Sequence, residues 1–544
     1  MIALLVVLGL LLGQAAGEDP LAAGQRAYDD GRFEEAARLL AEATATSPSY
    51  EGLLTLGLAC GRLERLTEAG QAFDRAVALS PGRPEALVER GGLRFLEKRY
   101  DDAARDLSLA LRIRHGDDEY ARDLLAASLH LAGRSEEALA EWNRLGRPIL
   151  GSLSIVGLRR TRDAVARREL SLREGEMLDL ERLRESRLRL EQVGVFDRVT
   201  LRPVPRGGSQ ADLEVALTER HGLFRSKVGF LVGTAVQAAQ ARARLDYANL
   251  GGSGVSFGGQ YRWQENRPEA SLSLSWPRPF GLPAYVQLAG VRGRQAFETG
   301  GDAFVRRYRG IELGARHVLG ARTVGRLAMR VRDRSFSEPR ADAPEGVLSG
   351  LEVGLERTLV QGHRHRLEAS LSLFAAAEPL GSVVSYPRGI LRLSSQTHLS
   401  RPDGSSLEPS VLAAQVVGGR GGSRMPIDDM FAPGGSPDME LPLRARRQTP
   451  GGVLGPTSLG RSLALGNLEW RKRVVSRSPL ELGFVAFVDG ARIADQPGPG
   501  VTTFVDIGVG LRVSLVGSGI LRVDFGHGLR DGRNAVFLGL GDVF

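Results

Sequence analysis

The chain of 544 residues contains little cysteine and little lysine, and both shortages exclude classes of protein. Cys60 is the only cysteine, which excludes an intrachain disulfide framework and a thiolate metal cluster. Lys98, Lys227 and Lys472 are the only lysines, so arginine supplies nearly all of the 72 basic residues. These residues are interleaved with 64 acidic ones and form no basic stripe, although the net charge is +8. The pattern argues against nucleic acid as a partner.

Long apolar runs are also missing. No stretch reaches 18 consecutive apolar residues, so no transmembrane helix is predicted. A short apolar run, Met1 to Leu12, is followed by the small residues Ala15, Ala16 and Gly17, which is typical of a signal peptide over residues 1–17. The alternative is a buried N-terminal helix. An exported chain without a spanning helix is either soluble in the periplasm or a β-barrel.

Residues 18–147 are helical and repetitive. Four similar segments end in Ala36, Ala69, Ala103 and Ala138, which lie 33 to 35 residues apart. A glycine stands twelve residues before each of the first three alanines, where two helices must approach closely. The pattern resembles the tetratricopeptide repeat, whose helical pairs have a 34-residue period. The resemblance implies an all-α solenoid of four units that presents a groove to peptides or partner proteins.

Residues 150–220 change character. A short strand at 153–158 precedes two helices, and the strands Phe196–Val204 and Asp212–Glu219 follow, joined by a hairpin at residues 206–208. The order β-α-α-β-β, with glycine-containing corners, resembles a POTRA domain, a small α+β fold. One copy is predicted.

From residue 224 to Phe544 the sequence alternates with period two. In the run 501–515, apolar residues occupy one face and polar residues the other. Alternation alone also suits a soluble β-sandwich. Three features favour a transmembrane β-barrel: the segments are ten or more residues long, about sixteen of them are predicted, and the polar face carries charge at Arg512, Asp524 and Glu368. The fold class is therefore a multidomain chain with a C-terminal antiparallel barrel of about 16 strands.

The last predicted strand ends the chain on an aromatic residue, Phe544. A terminal phenylalanine behind an alternating strand is typical of bacterial barrels that are recognised for membrane insertion. Gly539 and Gly541 lack side chains to pack and are predicted to weaken this strand where the barrel closes. The alternative is that they are ordinary barrel glycines, because glycine accounts for 69 of the residues.

Several segments of the barrel region resemble the BamA/TamA-type superfamily of outer-membrane assembly and secretion barrels. With the POTRA-like domain, the resemblance covers residues 150–544. It implies a location in the bacterial outer membrane, with the N-terminal domains in the periplasm. The segments that carry it are Asp246–Gly254, Trp276–Gly281, Phe484–Gly490, Gly508–Arg512 and Leu521–Phe525.

The resemblance also implies a long loop that folds into the barrel and carries a V/L-R-G-Y/F motif. Residues 419–457 are the long insertion, where the motif appears as Leu443-Arg444-Ala445-Arg446. Arg444 is the candidate lumenal arginine, and Asp489 on a late strand is its candidate partner. Ala445 and Arg446 replace the glycine and the aromatic residue of the family pattern. The alternative is that Arg444 is a solvated loop charge.

The implied function is assembly of client proteins into the outer membrane, or their translocation across it. A POTRA sheet edge accepts an extended client as an added strand. The tetratricopeptide arm would recruit a periplasmic client or accessory protein. An exporter of one cognate substrate, similar to two-partner secretion, and a passive channel with a docking arm are the alternatives. The residues predicted to form the strand-addition edge are Phe196, Val199, Leu201, Leu213 and Val215.

Enzyme chemistry has little support in the sequence. His363 and His365 share one strand face, but the apolar residues that follow favour a position at the barrel rim over a metal site. Gly251–Gly254 opens no predicted helix and is not a phosphate loop. We therefore predict a protein that is not an enzyme, with no cofactor and no metal, whose partners are extended clients, accessory proteins and outer-membrane lipid.

Overall fold

The chain divides into two compact units. One contains the helical arm with residues 173–180 and 203–212, and the other contains residues 153–172, 181–202 and everything from 213 onward. No helix in the described ranges is long and apolar enough to cross a membrane. The computed structural model describes residues 19–114, 118–220, 227–299, 302–362, 364–399, 410–434, 441–446, 452–454, 459–477, 480–495, 500–515 and 519–540.

The arm consists of four helical pairs, which confirms the predicted repeat. The repeat alanines, such as Ala36 and Ala103, are fully buried, and Cys60 is buried as a small apolar residue. An added Cβ at Gly24 would lie 2.6 Å from Leu40 Cγ, so glycine is required where the paired helices meet. The helices are α1 Pro20–Asp29, α2 Phe33–Thr46, α3 Tyr50–Arg62, α4 Leu66–Leu79, α5 Glu85–Leu96, α6 Tyr100–Ile113, α7 Glu119–Leu131 and α8 Ser135–Arg144.

A small α+β domain follows the arm in the chain and has the predicted element order. Its three strands form a sheet in the order β1-β3-β2. Leu183 and Leu190 of its longer helix are buried, as are Leu213 and Val215 of the central strand. The elements are β1 Ile149–Val156, α9 Asp163–Arg167, α10 Leu180–Gln192, β2 Phe196–Gly207 and β3 Gln210–Glu219.

The rest of the chain forms one antiparallel sheet in which strands adjacent in sequence are adjacent in space. The described residues contain 15 of its strands, where about 16 were predicted. The strands are β4 Arg242–Tyr247, β5 Ser256–Arg262, β6 Glu269–Pro277, β7 Tyr285–Thr299, β8 Asp302–Gly320, β9 Thr323–Phe336, β10 Gly346–Gln361, β11 His365–Ala376, β12 Tyr386–His398, β13 Ser410–Gly421, β14 Ser462–Arg477, β15 Leu480–Ala494, β16 Thr502–Leu515, β17 Gly519–Gly528 and β18 Asn534–Leu540.

The structure differs from the prediction at the start of the predicted barrel. Residues Lys227–Ala239, which the sequence analysis placed in the alternating barrel region, form helix α11. This helix packs against both β4 and β18, the two edges of the sheet. Gln240, just after it, donates a hydrogen bond of 2.9 Å to the Leu538 carbonyl on β18. A helix satisfies its own backbone hydrogen bonds, whereas a strand needs a partner, so alternation alone did not decide between the two here.

The two faces of the sheet differ as the alternation predicted. Leu511 and Leu272 project from the outward face and are 47% and 59% exposed. On the inward face Asp506 and Asp524 are fully buried, and Arg512 is nearly so. Charged groups inside and apolar groups outside are the reverse of a soluble protein, and they suit a sheet whose outward face meets hydrocarbon.

One end of the sheet lies against the POTRA-like segments of the same unit. Asn249, in the β4–β5 turn, donates a hydrogen bond of 2.8 Å to the Thr161 hydroxyl. Tyr285, at the start of β7, donates one of 2.6 Å to buried Glu169. We call this end the domain end. The connection between β13 and β14 leaves the sheet at the opposite end.

Candidate functional site: a loop anchored on the inward face

The connection from residue 422 to residue 461, which we call the inner loop, folds back onto the inward face. Its described parts are 422–434, 441–446, 452–454 and 459–461. Phe431 and Leu443 are fully buried in a cluster with Leu465 of β14 and Ile493 of β15. Apolar contact therefore holds the loop against the wall formed by β13 to β16.

Arg444 is the most enclosed cation in the described parts of the inner loop. Its Nε and Nη2 donate to the two carboxylate oxygens of Asp489 at 2.8 and 2.6 Å, the bidentate geometry typical of arginine. Its Nη1 donates to Glu469, and its guanidinium carbon lies 3.5 Å from the centre of the Phe487 ring. Arg444 is 2% exposed, and both carboxylates are fully buried. The alternative of a solvated loop charge does not fit this position.

A second arginine, Arg446, repeats the arrangement one strand further along. Its Nη2 donates to Asp506 at 2.6 Å and its Nη1 to Asp531 at 2.6 Å. Its guanidinium carbon lies 4.0 Å from the centre of the Phe504 ring. The backbone N–H of Ala445, between the two arginines, also donates to Asp506 at 2.9 Å. The tip of the loop is thus held by two parallel arginine–carboxylate contacts.

Strand register explains why two arginines are needed. Asp489 on β15 and Asp506 on β16 are directly opposite each other, and both are fully buried. Two buried carboxylates at adjacent positions repel unless cations separate them. Arg444 and Arg446 supply those cations. The acids of the wall and the arginines of the loop tip therefore neutralise each other only when the tip is in place.

The approach of the tip also depends on a glycine of β17. A Cβ added at Gly526 would collide with the carbonyl oxygen of Arg444 and lie 2.8 Å from the backbone nitrogen of Ala445. The missing side chain therefore creates the space in which the tip is seated.

The other end of the inner loop has its own anchor, of opposite charge. A short 3-10 turn, Ile427–Asp429, places Asp428 between Arg334 of β9, whose Nη1 lies 2.9 Å from both carboxylate oxygens, and Arg306 of β8 at 3.1 Å. Tyr386 of β12 donates to Asp429. Asp428 and Arg334 are buried side chains. The loop thus contacts a cationic part of the inward face with its acids and an acidic part with its arginines.

Backbone hydrogen bonds connect the remaining described parts of the loop to the wall. Leu454 donates to the Ala296 carbonyl at 2.9 Å, and Glu298 donates back to the Leu454 carbonyl at 2.8 Å. Phe431 and Gly460 exchange two hydrogen bonds of 2.9 and 3.1 Å within the loop. Contacts with β7, β8, β9 and β12 as well as with β14 to β17 make the loop a strap across the inward face.

The sequence reasoning named part of this site. Arg444 and Asp489, predicted as partners, lie in contact, and their role as a loop lock stays a proposal. Arg446, Asp506 and the Asp428 anchor were missed. The sequence did contain one indication: Arg444 and Arg446 flank a small residue, so both arginines can contact the wall from the same loop tip. The identity of the acids that face them depends on strand register, which one sequence does not reveal.

The predicted strand-addition edge is partly wrong. Leu213 and Val215 lie on β3, which is paired on both sides as the central strand and offers no free edge. Phe196, Val199 and Leu201 lie on β2, an edge strand of the described sheet. On the opposite edge, residues 148–150 are bonded to the chain at 175–178, which leaves β2 as the more open edge.

The remaining predicted residues are at the end of the chain or at a strand end. Gly539 lies on β18, an edge of the sheet, where an added Cβ would be 2.8 Å from Nη2 of Arg522. Gly541, Phe544 and His363 lie outside the described residues. His365 faces Thr397, with 2.8 Å between Nδ1 and the hydroxyl. In the described part of the chain, no three metal-ligating side chains are grouped together.

Comparison with protein families identifies the two N-terminal regions. The model of the tetratricopeptide repeat family matches residues 21–84, and the POTRA model, described as a surface antigen variable number repeat, matches residues 148–220. A stretch of 139 residues is 33% identical to the outer membrane protein assembly factor BamA of Neisseria meningitidis serogroup B. It covers 25% of this chain and 17% of that protein, so the match spans a small part of the relative's length.

Solved structures resemble the chain over a longer range. CdiB from Escherichia coli aligns over 78% of this chain and 88% of its own, with a TM-score of 0.52 and 12% identity. BamA from Haemophilus ducreyi lacking POTRA domains 1-3 aligns over 72% of this chain and 83% of its own, with a TM-score of 0.41 and 14% identity. At 12% identity the CdiB alignment shows a similar fold and nothing further. The chain thus combines tetratricopeptide repeats and a POTRA domain with an antiparallel sheet of the barrel type, the organisation that the resemblance to the BamA/TamA-type superfamily implied.

Proposed function

We propose that the protein handles polypeptide clients at the outer membrane, where it inserts them into the membrane or carries them across. The observation that carries the proposal is the inner loop, held on the inward face by Arg444 and Arg446 at one end and by Asp428 at the other. A loop with charged anchors at both ends occludes the interior at rest. Its release requires the separation of specific ion pairs, which a client that competes for the same wall would achieve.

The loop also favours client handling over a passive channel. A permanently open pore has no need of buried ion pairs across its interior, because removal of charges from water is costly unless each is paired. Here the loop buries two arginines and several carboxylates in one cluster. The arrangement suits a gate that opens on demand.

Clients would first meet the periplasmic domains. Edge strand β2 of the POTRA domain presents unpaired backbone groups, to which an extended polypeptide can add as a fourth strand. The tetratricopeptide repeats offer a second surface of the kind that binds peptides. We propose that the repeats recruit a client or an accessory protein and that β2 delivers the client toward the sheet.

Depletion of the protein, followed by proteomics of isolated outer membranes and of the medium, tests this proposal. Loss of many barrel proteins from the outer membrane supports an assembly function. Loss of one secreted protein with the membrane unchanged supports the second candidate, an exporter of a single cognate substrate. An unchanged proteome in both fractions contradicts client handling of either kind.

A further inference from the structure

The outward face of β7 and β8 carries four arginines in two directly opposed pairs. Arg292 faces Arg309, and Arg294 faces Arg307. All four side chains are exposed. Like charges directly opposite each other destabilise a sheet, so this arrangement costs stability unless a counter-charge is bound.

The protein supplies little counter-charge of its own. Asp333 on β9 pairs with Arg309 at 3.1 Å, and Arg294 donates to the Glu265 carbonyl at 2.5 Å. Among the residues that the structure describes, Arg292 and Arg307 take part in no ion pair. A second carboxylate of this region, Glu269, accepts a hydrogen bond from the Tyr308 hydroxyl and lies 3.7 Å from Arg262. The four arginines outnumber these two acids, which leaves a local excess of positive charge.

The surroundings place this cluster at a membrane boundary. Toward the domain end, the same outward face is apolar and exposed at Leu288, Ile311 and Leu313. Two exposed aromatic residues, Tyr261 on β5 and Trp263 just after it, lie beyond β6, the strand next to β7. Exposed aromatic residues beside an apolar band mark the level of the polar headgroups on a transmembrane barrel. The arginines lie at this level, on the side away from the domain end.

The cluster also forms a concave site. A cleft of about 590 Å³ opens on this surface, and the charged residues of its lining are the four arginines, Asp333 and Glu269. Guanidinium groups bind phosphate in a bidentate manner and remain charged at any pH the protein meets. A cleft of cations next to an apolar band fits a ligand with phosphate at one end and acyl chains at the other.

We propose that Arg292, Arg294, Arg307 and Arg309 bind the phosphate groups of an outer-leaflet lipid. The proposal rests on the membrane-spanning placement of the sheet and is independent of client handling. The bound lipid would neutralise the opposed arginines and anchor this side of the sheet at a fixed depth. The site faces lipid, whereas the inner loop and its anchors occupy the opposite face of the sheet.

Lipid binding to the purified full-length protein in dodecyl maltoside micelles tests the proposal. The probes are lipid A with two phosphates and the same lipid after enzymatic dephosphorylation. Native mass spectrometry measures the fraction of protein that carries each lipid. We expect the phosphorylated lipid to bind preferentially. The double variant R292Q/R307Q removes two charges that form no ion pair in the described structure, and it should weaken binding about 10- to 30-fold. D333N removes the competing carboxylate and should strengthen binding.

Arg492, a lone arginine on the outward face of β15, provides the matched control. R492Q should bind lipid A as the wild type does. Heat-modifiable mobility on gels establishes that every variant is folded, and it is independent of the lipid assay. Equal binding of both lipids, unchanged binding by R292Q/R307Q, or competition by inorganic phosphate at the same phosphorus concentration would each overturn the proposal. The last outcome would identify free phosphate as the ligand.

Discussion

Substitution of Arg444 by glutamine is the sharpest test of the inner loop as a gate. The guanidinium forms two hydrogen bonds with Asp489 and one with Glu469, and all three side chains are buried. Removal of one member of a buried ion pair leaves a charge unpaired, which costs about 3–5 kcal/mol. Here the unpaired charge is Asp489, because Glu469 keeps an ion pair with Arg471 at 2.7 Å. The loss should appear mainly as release of the loop tip, because the strands are separately held by their backbone ladders.

A cost of about 4 kcal/mol changes the ratio of closed to open loop by about three orders of magnitude. We therefore expect R444Q to conduct ions persistently in planar bilayers, where the wild type opens rarely. The inner loop should also become sensitive to protease added from the side opposite the domain end. R444K is a second variant, since it keeps the charge and loses the bidentate contact, and it should give an intermediate result.

Arg420 provides the control for this experiment. It pairs with Asp495 at 2.8 Å, but its side chain is 75% exposed, and exposed pairs contribute about 0–1 kcal/mol. R420Q should leave both conductance and protease resistance as in the wild type. If R444Q is as closed and as resistant as R420Q, the reasoning that the buried pair holds the loop is refuted.

Three further predictions concern other parts of the chain. G526A adds a Cβ that collides with the Arg444 carbonyl oxygen and should open the tip as R444Q does, whereas an added Cβ at Gly418 meets nothing and G418A should have no effect on conductance. D428N removes the charge facing Arg334 and should loosen the other end of the loop, which hydrogen exchange at residues 425–431 would detect. Burial raises the pKa of Glu219, but hydrogen bonds from Thr161 and from backbone N–H groups of the same turn lower it below its ordinary value. The charged Glu219 therefore stabilises the fold above the ordinary glutamate pKa, and this stabilisation is lost as the pH falls through the lowered pKa. E219Q should reduce the free energy of unfolding by about 1–3 kcal/mol near neutral pH. In a denaturation series over pH, the variant should also lack this part of the acid dependence.

Much of the candidate site could be predicted because local patterns report local structure. The alternation in residues 501–515 assigned Val509 to the outward face and Asp506 to the inward face, and burial bears this out. The position of Arg444 in the long connection came from resemblance to a motif, and its contact with Asp489 agrees with that expectation. Arg446 stands where the family motif has an aromatic residue, and the sequence did not indicate which acid it would contact.

What the sequence by itself determined is therefore the kind of each element and the face on which most residues lie. Helical period, strand alternation and repeat spacing are set by backbone geometry over a few residues, so one chain displays them directly. The tertiary structure alone decided which residues became neighbours. It set Asp489 opposite Asp506, left β2 and not β3 at the POTRA edge, and made residues 227–239 a helix beside two sheet edges. Each outcome depends on how separate elements pair with one another, and its free energy appears only when both partners are in place.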